Sequence, residues 1–320
     1  MEAFMVLGFE GIIREALKIF FKNKILMACL TLLILSFNSV FFLYNCHSIK
    51  PFESDLFLKL GLLPYTKPKT SEYFSLLTAL KEDIRAYVVL EWIFILISIV
   101  PSLFLSTATV IAPAFIHGRN FLSFREMLWS TLSSLKRPSF TYFYETLLSF
   151  GYIFLVLANL VPFLLLVRDP IALTVLVLMI VILASVVYIY LEVTWSLGFI
   201  VSVLEEKSGS EAIGKAAKIV KGRRLHGFLL NLVFRILSLV IYVGAMLVNQ
   251  IKAGTVNPVI IGLFVTIVVS LVDMLRLMAY TILYYQCKKN HGEEVELPWR
   301  KGYSKVGSSL PLVNIENNGP

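Results

Sequence analysis

Five ionisable residues stand where ionisable residues are expensive. Glu145, Glu192, Arg235, Asp273 and Arg276 fall inside or at the ends of long apolar runs. On insertion scales a charge at the centre of a membrane helix costs about 2.5–3.5 kcal/mol, so such groups turn inward and find partners. Two kinds of chemistry are open to them. Paired, they form a salt-bridged network that closes one half of a helix bundle; unpaired, they line a polar cavity for an ion or an anionic solute. Three acids against two bases are near balance and favour pairing, with Glu145 and Glu192 close enough to the interface to stay hydrated.

Catalytic chemistry has little to stand on. His47, His117, His226 and His291 occupy different loops or span ends, without a second metal ligand at helical spacing. Cys29, Cys46 and Cys287 are too few and too scattered for a disulfide framework or a thiolate metal site. GxSxG, Walker and dinucleotide fingerprints are missing from the sequence. The expectation is a protein that is not an enzyme and uses no cofactor or metal.

The elements that must position the five charges are set by composition. Hydrophobic residues make up 58% of 320 positions, charged residues 16%, and mean hydropathy is +0.79. A soluble domain carries about 25% charged residues. About 20 apolar residues cross the roughly 30 Å hydrocarbon layer as a helix. Residues 25–44, 92–116, 146–167 and 171–191 reach that length without a charge. Residues 227–248 and 258–285 reach it too, interrupted by Arg235 and by Asp273 with Arg276. Barrel strands would be shorter and would alternate. The expected fold is all-α: a polytopic membrane helical bundle of six transmembrane helices over residues 1–287, with a disordered cytosolic tail over 288–320 rich in polar residues. The first apolar run has no small-residue cleavage site after it and reads as a retained span.

Orientation follows from the basic residues. With the N-terminus in the cytosol, the cytosolic segments hold Arg14, Lys18, Lys22 and Lys24; Arg119, Arg125, Lys136 and Arg137; Lys207 through Arg224; and Lys288, Lys289, Arg300, Lys301 and Lys305. The opposite side holds Arg168, Lys252 and one long loop, Cys46 to Arg85, whose basic residues are almost neutralised by Glu53, Asp55, Glu72, Glu82 and Asp83. Both termini are therefore expected in the cytosol. The net charge of +8 is expected to meet anionic lipid headgroups on that side, with the bilayer as partner and no nucleic acid.

Three stretches before the odd-numbered spans share a pattern. Glu15-Ala16-Leu17 leads to Lys22 and Lys24, Glu126-Met127-Leu128 to Lys136-Arg137, and Glu211-Ala212-Ile213 to Lys221, Arg223 and Arg224. Acid first and base last suits the helix dipole, and basic residues beside headgroups anchor a helix in the interface. The reading is three cytosolic interfacial amphipathic helices, each followed by an outward and an inward crossing. Shared physics and true duplication both account for that repeat. In the third copy an apolar stripe of Ala212, Ile213, Ala216, Ala217, Ile219 and Val220 is flanked by Lys215, Lys218 and Lys221. With Arg223 and Arg224 these lysines form a candidate lipid-facing basic helix. Packing on the bundle is the other reading, since its alanines favour close approach.

The run Trp195-Ser196-Leu197 through Glu205-Glu206, then Gly209, Ala212, Lys215-Ala216 and Lys221-Gly222-Arg223, resembles a family of largely uncharacterised plant multi-pass transmembrane proteins. Ser106 to Val110 and Ser123-Phe124-Arg125 are similar to theirs as well. More remotely, the pattern looks like bacterial membrane domains fused to glycerophosphodiester phosphodiesterases, without the catalytic domain. The resemblance implies a plant endomembrane system, the endoplasmic reticulum included, or the plasma membrane. The functional expectation is a scaffold, membrane-shaping or trafficking component. The alternative is a small-solute or ion transporter working through the charged layer.

Overall fold

The computed structural model describes residues 8–67, 70–117, 124–167, 169–251 and 257–292. The tail from 293 onward and the links holding Arg119, Arg168 and Lys252 lie outside them. The described residues are helical almost throughout. In order they form α1 (Phe9–Lys22), α2 (Lys24–Tyr44), α3 (Lys50–Leu62), α4 (Ser71–His117), α5 (Phe124–Ser134), α6 (Lys136–Leu166), α7 (Pro170–Leu204), α8 (Gly209–Ile219), α9 (Arg224–Ile251) and α10 (Pro258–Asn290). Among the described residues, six helical segments are long and apolar enough to cross a membrane.

Helix starts follow local chemistry. Asp169 caps α7 by accepting from the amides of Ile171 and Ala172, with Pro170 at the first helical position. Asn257 caps α10 ahead of Pro258 in the same way, accepting from Val259 at 2.9 Å. In both, proline fills a position whose amide has no partner inside the helix.

Two expected boundaries are corrected. The stretch from Cys46 to Arg85 is not a loop. A π-turn over Asn45–Ile49 carries α2 directly into α3, and α4 already begins at Ser71. The reason lies in charges that do more than neutralise one another. Lys59 of α3 meets Asp55 one turn back at 2.8 Å and Asp83 of α4 at 2.6 Å, clamping the two helices together. At 1.5 Å per residue, α4 is about 70 Å long, more than twice the hydrocarbon thickness. Its first turns therefore project beyond any bilayer that its apolar part spans. At the other end of the chain α10 runs on to Asn290, where Lys288 is buried instead of opening a tail.

The short helices and spans repeat one contact order. α1, α5 and α8 each break from the next span at a basic site: Lys22-Asn23-Lys24, Lys136-Arg137 and Arg223-Arg224. The hairpins are α2 with α4, α6 with α7, and α9 with α10. α5 packs on α4, α8 on α7, and α1 on α10, so every short helix rests on the second span of the preceding unit and the first unit closes on the third. α4, α7 and α10 touch one another at the centre.

The core lies at one end of this ring, where α4, α7 and α10 finish. Residues 107–112 of α4, 195–204 of α7 and 278–288 of α10 bury nearly every side chain. Small residues permit the close crossings. Gly198 is one of them: a Cβ there would stand 3.1 Å from the backbone of Ile213 in α8. Buried hydroxyls of Thr107, Thr109, Ser202 and Thr281 donate back to carbonyls of their own helices, so each polar group stays satisfied.

Candidate functional site

Glu192 sits near the last third of α7, buried, with two neighbouring helices, α9 and α10, aiming side chains at it. Asn231 of α9 donates to Oε2 at 2.8 Å, and Arg235, one turn further along α9, donates to both carboxylate oxygens. Arg276 of α10 donates to Oε1 at 3.3 Å and lies 3.3 Å from Asp273, three residues back on its own helix. Four of the five sequence candidates thus meet in one layer joining α7, α9 and α10. Glu145 differs. It stands on α6 within electrostatic reach of Arg276 and Glu192 but makes no ion pair with a described residue. Asn231 was not among the candidates. Its signal was there: it precedes Arg235 by four residues, which places both on one face of α9.

A second polar centre, at the very end of α7, was missed. Glu205 accepts from Tyr284 at 2.6 Å and Lys288 at 3.2 Å, both on α10, and its other oxygen stands 2.7 Å from Lys215 of α8. Burial alone would push this carboxyl up, but Lys215, Tyr284 and Lys288 outweigh it and hold Glu205 below the usual glutamate range. An acid directly after a run of uncharged residues, 193–204, was the available cue.

The candidate lipid-facing helix divides. Lys218 and Lys221 are exposed, whereas Lys215 turns to Glu205. Arg223 is corrected outright: it is 7% exposed and donates to Gln286 at 2.8 Å. Gly222, with φ of 97°, turns the chain between α8 and α9, and Arg223 follows it inward onto α10. Arg224 lies over the ring of Tyr190 and donates to its hydroxyl at 3.1 Å. α8 itself buries Ala212, Ala216 and Ile219 against the bundle, which makes packing its main contact.

Around the Glu192 layer, α6 and α7 leave a groove of about 450 Å³ on the outer surface of the bundle. Tyr152, Ile153, Val156 and Leu157 form one wall, Val181 to Ile189 the other, and Arg235 of α9 closes one end. Tyr152 donates to the Ala184 carbonyl at 2.7 Å and holds the two walls together.

Among known proteins, the profile of a family described as a domain of unknown function (DUF8558) matches residues 1–300. The chain belongs to that family. No curated protein and no solved structure matches it.

Proposed function

We propose that this is a non-enzymatic integral membrane protein acting as a scaffold, membrane-shaping or trafficking component, with its packed end toward the cytosol and anionic headgroups. One observation carries the reading. The end where α4, α7 and α10 converge is filled by Leu197, Ile200, Tyr280 and Tyr284, each under 2% exposed, and its carboxylates, buried Glu192 and half-buried Glu205, each accept from several donors. A filled, cross-linked end suits a platform better than a passage. Exposed Lys218 and Lys221 give that platform a basic rim, worth about 1 kcal/mol each beside anionic lipid. The resemblance to plant multi-pass proteins supports an endomembrane or plasma-membrane site, and the distribution of basic residues supports both termini in the cytosol.

A second reading, carriage of a small solute or ion, is favoured by Glu145, which stands beside Arg276 and Glu192 without an ion pair among the described residues. Reconstitution in sealed liposomes separates the two. The scaffold reading expects no solute or ion flux above empty vesicles, and a reproducible set of neighbours by proximity labelling in cells. Flux that disappears in Glu145→Gln or Glu192→Gln would overturn it.

A further inference from the structure

Arg235 stands about 16 Å along α9 from Arg224 at 1.5 Å per residue, a depth at which a span is surrounded by hydrocarbon. Its side chain is nevertheless 49% exposed. Nε and Nη2 are taken up by Glu192, while Nη1 has no partner among the described residues. In lipid, where water does not compete, spare N–H donors of this kind require an acceptor.

The groove supplies a place for one. Its walls are apolar and face outward: Ile153, Leu157 and Val181 are 48%, 54% and 47% exposed. Its polar groups gather at one end, where Arg235 meets Tyr188, whose ring stacks at an angle on Tyr152. α6 runs away from the packed end and α7 toward it, so the polar end is the one nearer the packed end. Val181 and Leu157 lie further out. A lipid in the leaflet next to the packed end is oriented the same way, oxygen-bearing end inward and apolar body toward the midplane. The volume is within the usual range for small-molecule sites, about 300–1,000 Å³.

Charge decides which lipid. Glu192 already balances Arg235, and Asp273 balances Arg276; Glu145 on α6 adds a further carboxyl nearby. An anionic head would leave excess negative charge in a medium that solvates charge poorly. Missing acceptors, not missing charge, is the deficit. The geometry points to the α6–α7 groove as a binding site for an uncharged lipid whose hydroxyl or ester carbonyl accepts from Nη1 of Arg235 while its apolar body lies between Tyr152 and Val181. Free sterols and acylglycerols share that chemistry. This site does not depend on the scaffold reading and stands or falls separately.

Photo-crosslinking in phosphatidylcholine liposomes tests it, with a photoactivatable sterol and a photoactivatable diacylglycerol in separate arms and unlabelled lipid as competitor. Saturable labelling of peptides carrying residues 152–157 or 181–189 is expected with one arm or both, and the arm that labels names the source. Arg235→Lys keeps a cation for Glu192 but removes the planar fork that lets Nη1 donate into the groove while Nε and Nη2 hold the carboxylate, and should weaken labelling by about tenfold, the cost of a charged hydrogen bond. Ile153→Trp fills the groove without touching the charge layer and should abolish labelling while the thermal melt stays at wild type. Should Arg235→Lys unfold, Ile153→Trp alone decides. Labelling mapped elsewhere, labelling unchanged by a folded Ile153→Trp, or competition by a long-chain carboxylic acid in preference to both uncharged lipids would overturn the proposal.

Discussion

The two ends of this molecule solve the same problem with different materials. At the packed end, α1, α5 and α8 rest on the closing turns of α10, α4 and α7, and polar side chains from α8, α9 and α10 meet the carboxylates of Glu192 and Glu205. At the opposite end α3 buries no residue, and Phe57, Leu58 and Tyr65 are 62%, 62% and 88% exposed. α6 behaves similarly along its length, with Pro138 and Thr141 its buried residues among those described. In water such surfaces would aggregate. Within a bilayer the tails are as apolar as leucine, so a span facing lipid gains little by packing tightly on a neighbour. Tight packing occurs where backbone turns, helix ends and charges must be satisfied.

The comparison is most severely tested at Glu192. Removing one partner of a buried charge pair leaves the others uncompensated, and costs about 3–5 kcal/mol. Glu192→Ala leaves Arg235 without its counter-ion and takes one acceptor each from Arg276 and Asn231, so it should lower the melting midpoint in detergent more than Glu205→Gln, Gly198→Ala or Lys59→Ala. A midpoint within a degree of wild type would show that the packed end is not held by this layer. A charge swap, Glu192→Arg with Arg235→Glu, should recover part of the loss if the two residues pair directly.

Next in size is Glu205→Gln, which weakens charged hydrogen bonds worth about 1.5–3 kcal/mol each. It also carries a pH signature. Because the folded carboxyl titrates below its unfolded value, the ionised form supplies stability above about pH 4.3, and that contribution is lost as pH falls through the lowered folded value. Wild type should therefore lose stability on acidification from pH 6 to about pH 3, and Glu205→Gln should lose less over that range. Equal acid sensitivity in the two proteins would remove Glu205 from the account. Gly198→Ala probes packing at the same end without charge. Its Cβ would press within 2.9 Å of the Ile213 side chain and 3.1 Å of its backbone, and overpacking of this kind costs about 1–3 kcal/mol. A neutral result would mean that α8 slides freely on α7.

How much of this was legible beforehand differs between the ends as well. The spans were read from length and hydropathy because lipid imposes one simple rule on them. The charge layer was read because five ionisable residues in apolar runs have few alternatives. Glu145, equally visible, stays outside the ion pairs, since depth along α6 could be counted from the chain but rotation about the helix axis could not. Arg223 was misassigned for a related reason. A basic run beside a span reads as a headgroup anchor, and only the turn at Gly222, with its positive φ, sends this one arginine onto Gln286. Glu205 depended on Lys288, 83 residues away, a pairing that no local pattern carries.

The smallest expected effect belongs to the open end, and it is the control that gives the others meaning. Lys59 makes two short ion pairs, at 2.8 and 2.6 Å, closer than most contacts in the charge layer. Distance alone would rank it above Arg276, which stands 3.3 Å from Glu192. Yet Asp55 keeps 56% of its side chain in contact with solvent, and exposed pairs of this kind contribute little and weaken in salt. Lys59→Ala should then shift the global melting midpoint by no more than a degree or two while raising amide exchange locally in α3 and the first turns of α4. A global loss comparable with that of Glu192→Ala would mean that the α3–α4 extension is part of the cooperative fold, and that burial does not separate the two ends.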